Sequence, residues 1–152
     1  MKKWHPITLL VAGTVAVMYG MIYMDVVMRA KESYREGEKY WRWAEHPEER
    51  AQFLDQKFTA DKAALDARLS RGKISKDDYD RELELLQFDH AQALKESSIK
   101  YAYVWYQTAV DLFSPPESKW VKLAREKMPL AKERWKAELR AKSVPFEDYM
   151  ID

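Results

Sequence analysis

The chain has 152 residues, 26 Lys and Arg against 25 Asp and Glu, four glycines and no cysteine. That is a single-domain length with a helix-former's composition, so the expected fold class is all-α. The lack of cysteine excludes disulfides, thiolate metal sites, iron–sulfur clusters and covalent c-type haem, and a near-neutral, mixed-sign charge pattern excludes the basic field that holds nucleic acid.

Residues 1–6 read as a short N-terminal tail. From Ile7 to Met24 the sequence ITLLVAGTVAVMYGMIYM carries no charge, and a helix of that length spans roughly 27 Å, close to the hydrocarbon thickness of a bilayer. Val26 to Met28 extend the apolar run past Asp25, so 7–28 is the expected transmembrane helix. The uncharged stretch exceeds the about 7 to 15 residues of a signal-peptide core and no A-x-A site follows it, which favours an uncleaved anchor in contact with lipid. Ala12, Ala16 and Gly20 recur at every fourth position and make a small-residue stripe on which a neighbouring helix can pack closely; lipid-facing filler is the alternative. Asp25, at the end of the span, reads as a boundary residue rather than a proton relay.

Orientation is argued from two opposing signals. Lys2 and Lys3 form a compact unopposed cluster before the span, whereas Arg29, Lys31, Arg35, Lys39 and Arg42 follow it, diluted by Glu32, Glu36 and Glu38. The first signal, preferred here, puts the N-terminus in the cytoplasm and the C-terminal domain in the periplasm of a bacterial inner membrane; the plain Lys/Arg count puts the domain inside.

Residues 29–46 hold no breaker except Gly37, so the anchor helix is expected to continue as a stalk until His46-Pro47 ends it. Trp43 lies roughly 22 Å beyond Met28, past the headgroup layer. Tyr40, Trp41 and Trp43 are therefore expected to pack on the domain or on a partner protein rather than to form an aromatic belt.

The helical domain is expected over 47–142. Its first helix runs from Pro47 to Arg71, with Leu54, Phe58, Leu65 and Leu69 on one face. Gly72 closes it, and Ser75 caps the next helix with Asp78 three residues on, an acidic variant of the capping box. The short loop predicts an antiparallel hairpin. The stretch 65–86, LDARLSRGKISKDDYDRELELL, resembles the short helical-hairpin motif known as SHOCT, which implies an oligomerisation or interaction hairpin.

Over 76–113 an apolar stripe passes through Tyr79, Leu83, Leu86, His90, Leu94, Tyr101, Trp105, Thr108 and Leu112. Ser97-Ser98 leaves open whether this is one helix or two. Ser114-Pro115-Pro116 ends it. A last helix is expected over about 117–142, bent or restarted at Pro129, with Trp120, Leu123, Ala124, Met128, Ala131, Trp135 and Leu139 as buried candidates. A frayed tail at 143–152 is the default.

Ala102, Tyr106 and Ala109, followed by Ser114-Pro115, resemble the small–aromatic–small–Pro pattern of the second helix of a tetratricopeptide repeat. Trp120-Val121-Lys122-Leu123-Ala124 resembles the W-x2-L-G opening of the next repeat. Leu86 precedes Trp120 by that repeat's period of about 34 residues. The resemblance covers 83–128; Asp89, Lys127 and Pro129 depart from it. It implies a protein-interaction module, one too short to stand alone without a neighbour to cover its open side.

The chemistry-bearing residues form no constellation. His5 reads as an interfacial residue, His46 as a solvent-exposed charged cap, and His90 as a core histidine; no second imidazole stands at ligand spacing, so no metal or cofactor is expected. No phosphate loop, paired E-x-x-H or nucleophile motif is present. The expectation is a non-catalytic, single-pass accessory subunit of a larger membrane complex, with an anchored tetratricopeptide-type adaptor as the alternative. Candidate partner contacts are Trp41, Trp43, Tyr103, Trp120 and Trp135; Tyr103 is singled out because Tyr101, Trp105 and Tyr106 leave it on another face of the helix.

Overall fold

The structure is a computed structural model that describes residues 4–147 and 151, with side chains from Ile7 onward. It contains α1 (Trp4–Glu45), α2 (Pro47–Ser70), α3 (Lys76–Lys95), α4 (Ser98–Leu112) and α5 (Lys119–Ala141), with no strand among the described residues. The all-α class expected from composition is what forms. The described part of α1 already includes Trp4, inside the expected tail. The readings placed on Lys2, Lys3 and the side chain of His5 lie outside the described residues.

The chain divides into two compact units, one of Met1–Tyr40 with Ile99–Asp152 and one of Trp41–Ser98, and α1 contributes to both. In the first, Ala30, Ser33 and Gly37 form a buried stripe on α1. Residues 29–40 are therefore a packed core helix rather than a free stalk. Ala102, Tyr106 and Ala109 of α4 are fully buried, as are Val121, Ala124 and Ala131 of α5.

Gly37 is needed for its size. A Cβ there would stand 2.5 Å from Cε1 and 2.6 Å from Cδ1 of Tyr106, so the ring lies directly on the α1 backbone. The Tyr106 hydroxyl donates to Glu38 Oε1 at 2.6 Å, and Tyr40 stacks on Tyr101 at 5.1 Å. As the number rises along α4 it falls along α1, so the two helices run antiparallel.

α5 is continuous through Pro129, which is exposed. Of the expected bend or restart, the restart does not occur: α5 is one helix. Of its expected buried residues, Ala124 and Ala131 are buried, Trp120, Met128, Trp135 and Leu139 are half-buried, and Leu123 is exposed. α5 ends in a Schellman motif, with Ser143 N–H donating to Arg140 O and Val144 N–H to Leu139 O, and with Ser143 at φ 53°.

The second unit is built on the α2–α3 hairpin. Gly72 takes φ 65°, which closes α2 with the same bond pattern, Gly72 N–H to Leu69 O and Lys73 N–H to Arg68 O. Ser75 Oγ accepts from Asp78 N–H at 3.1 Å, the cap expected from the sequence. The serine pair at 97–98 separates α3 from α4, which settles the open alternative in favour of two helices.

Candidate functional site

The residues with functional potential fall into an exposed apolar half-helix, an aromatic cluster and a polar hairpin seam. On α1, the most apolar window has a mean hydropathy of 1.9 and none of it is buried; by length and composition the helix can cross a membrane. Ala12, Ala16 and Gly20 are all exposed on it, and a Cβ on Gly20 would meet nothing within 4 Å. Asp25 Oδ2 accepts from Arg29 Nε at 2.8 Å on the exposed surface.

The aromatic cluster belongs to the first unit. Tyr34 lies 5.9 Å from Tyr106 and 5.8 Å from Trp120 between ring centroids, and Lys31 and Lys119 place their ammonium groups 5.7 and 4.5 Å from the Trp120 ring. Glu38 receives the Tyr106 hydroxyl and approaches Lys127 at 3.4 Å, tying α1, α4 and α5 to one carboxylate. Burial, with Glu38 beside it, pushes the Tyr34 phenol above its ordinary range.

Tyr103 is not an open partner contact. It is 5% exposed, its ring lies 5.8 Å from Trp135, and its hydroxyl donates to Ile151 O at 2.9 Å. Tyr103 stands three residues before Tyr106 and shares the buried side of α4 with it, on the flank turned to α5, rather than lying on a separate face. What fills that flank is the chain's own α5 and Ile151, itself 3% exposed, so Ile151 is docked rather than frayed. Trp120 and Trp135 are likewise engaged within the unit.

In the second unit, Trp43 packs on Phe53 at 5.1 Å, and Trp41 Nε1 donates to Glu45 Oε1 at 3.0 Å. His90 Nε2 lies 2.9 Å from Asp55 Oδ1 and its ring 4.9 Å from Phe58. It thus belongs to an α2–α3 seam, bordering a shallow groove with Leu54, Asp61 and Leu86. His46 makes no side-chain cap bond; its Nδ1 lies 3.3 Å from Glu48 Oε1 in solvent. The capping role expected for it is absent, because its imidazole is turned to the Glu48 carboxylate rather than to the backbone N–H groups of the first turn.

The sequence reading missed Arg50. Its guanidinium donates to Ala93 O at 2.6 Å, to Ser98 Oγ at 2.8 Å and to Glu96 O, binding the last carbonyls of α3 to the first turn of α2. A signal was available: a cation so near a helix N-terminus opposes the helix dipole and calls for a partner elsewhere. Lower in the hairpin, Arg68 grips Glu82 with both terminal guanidinium nitrogens, Nη1 and Nη2, at 2.5 and 3.0 Å.

Among the described residues no group of three or more His, Cys, Asp or Glu side chains is placed to hold a metal ion. No family model, curated protein or solved structure matches the chain.

Proposed function

We propose that the protein is a non-catalytic, single-pass accessory subunit of a larger membrane protein complex, such as a respiratory or photosynthetic assembly. One observation carries this reading: a single helix, α1, is wholly exposed over its apolar N-terminal part yet forms the core of a helical unit from Ala30 onward. An exposed apolar rod needs a non-aqueous environment, and the domain built on its far end holds that rod in a fixed attitude. The small stripe Ala12, Ala16 and Gly20 supplies a face for a neighbouring helix. In this reading the membrane is the bacterial inner membrane, the N-terminus is cytoplasmic and the helical domain periplasmic.

A second reading is an anchored adaptor of tetratricopeptide type that recruits a soluble envelope, secretion or motility partner. It is favoured by the buried Ala102, Tyr106 and Ala109 set and by Leu85 and Phe88, which are 62% and 59% exposed on α3.

Detergent extraction followed by native mass measurement separates the two. The first reading expects stoichiometric recovery in a large assembly, reduced by the paired substitutions Ala16→Leu and Gly20→Leu. The second expects a monomer with salt-labile partners and no effect of those substitutions. A monomer that turns over a substrate sinks both.

A further inference from the structure

The antiparallel course of α4 along α1 returns the chain toward the membrane. Tyr106 is level with Gly37 and Glu38, and the six residues to Leu112 cover about 9 Å, which brings the end of α4 down to the region of Ala30. Consistent with that, Val26 and Val27 are half-buried although every residue from Ile7 to Asp25 is exposed. At the start of α5, Trp120 lies beside Tyr34 and under Lys31. Lys31 is three residues past Met28, about 4.5 Å along the helix, within a headgroup layer about 6 Å thick.

We infer that the α4–α5 corner, Leu112 to Trp120, is a second membrane contact that seats in the lipid headgroup layer beside the span. The inference rests on α1 crossing the bilayer. What the corner presents fits that partner. Leu112 is 71% exposed at a helix end, followed by Phe113 and two prolines. Trp120, an amphipathic ring of the kind enriched at membrane–water interfaces, is flanked by the ammonium groups of Lys31 and Lys119. Asp25, Glu32, Asp111 and Glu117 are spread along the same stretches of chain, so the contact is with the interface itself and has no requirement for anionic lipid.

The absence of native cysteine allows single labels. Full-length chains carrying Val15→Cys, Leu112→Cys or Ala141→Cys, each labelled with bimane, are reconstituted in phosphatidylcholine vesicles containing lipid-borne nitroxides at shallow or deep positions. All three sites are exposed, so the label displaces no packing. Val15 reports the span, and Ala141, at the opposite end of α5 from Trp120, is the control. The expected result is at least twofold stronger quenching at Leu112 than at Ala141 by the shallow nitroxide, with Val15 quenched best by the deep one. Leu112 quenched no more than Ala141 while Val15 is quenched overturns the corner contact alone. Val15 unquenched overturns the span and the contact with it. A Leu112 signal that appears only when phosphatidylglycerol is added overturns the apolar basis claimed for the contact.

Discussion

Substituting Gly37 by Ala tests the packing of Tyr106 directly. In an open helix the change gains about 1 kcal/mol of propensity. Here the new Cβ would lie 2.5 and 2.6 Å from two ring carbons of Tyr106, so the ring must retreat by about 1 Å to reach ordinary contact. It has little room to do so: Tyr106 is fully buried and its hydroxyl is held by Glu38 at 2.6 Å. Overpacking costs about 1–3 kcal/mol. The upper end applies because a Cβ fixed to helix backbone cannot rotate away, which leaves a net loss of about 2 kcal/mol after the propensity gain. For a chain of this size that is a fall of roughly 4–8 °C in Tm, read by near-UV circular dichroism of the full chain in detergent. In a Tyr106→Ala background the clash is gone, and Gly37→Ala should be neutral or stabilising by up to about 1 kcal/mol. A raised Tm for Gly37→Ala in the native background, or the same effect in both backgrounds, refutes the reasoning.

Three further outcomes follow from the geometry. Arg50→Met leaves two backbone carbonyls and Ser98 without their donor and should destabilise the second unit by about 2–4 kcal/mol, with hydrogen exchange accelerated at the α3–α4 junction; a loss below about 0.5 kcal/mol contradicts the clamp. Tyr103→Phe removes the bond to Ile151 O, worth about 1 kcal/mol, and should speed carboxypeptidase release of the C-terminal residues with little change in Tm, whereas unchanged release would show that Ile151 is held by packing alone. Asp66 is held below its ordinary value by hydrogen bonds from Tyr79 and then Lys62, and Asp78 by those from Ser75 and then Arg81. A depressed carboxylate stabilises the fold above its unfolded pKa and loses that contribution as pH falls through the folded one. Hairpin stability should therefore decline only below about pH 4, and Asp66→Asn together with Asp78→Asn should flatten that decline in an acid titration followed by circular dichroism.

Local chain chemistry made the element boundaries readable. Pro47 starts α2, Gly72 and Ser75 make the hairpin turn, and Ser114-Pro115-Pro116 separates α4 from α5, each through a backbone constraint that acts within a few residues. Direction of burial was harder. The stripe through Leu94 and Leu112 carries a single phase across Ser97-Ser98, where one helix or two stood open; the break there resets the phase, and both residues are exposed while Ala102, Tyr106 and Ala109 are buried. Tyr103 was set apart from the Tyr101, Trp105 and Tyr106 stripe, yet as the i−3 neighbour of Tyr106 it is buried on the same side, covered by Trp135 of α5 and by Ile151, which periodicity alone does not reveal. Pro129 did not break α5 because packing on either side, through Ala124 and Ala131, outweighs one lost hydrogen bond. Gly37 stood out only as a lack of side chain; its partner lies 69 residues away in sequence and leaves no local trace.

α1 runs without interruption from Trp4 to Glu45, about 63 Å of helix, so angle as well as distance is conserved along it. At about 100° per residue, the Ala12, Ala16 and Gly20 stripe and the Ala30, Ser33 and Gly37 stripe point within about 70° of each other around the axis. The azimuth of the first unit is thus locked to that of the stripe on the exposed apolar half of the helix. Inserting one residue near Asp25 would swing that unit by about 100°, whereas inserting seven would restore its heading to within about 20° and merely lift it by about 10 Å. In that sense the helix is a keyed shaft: whatever grips its apolar half also aims what it carries.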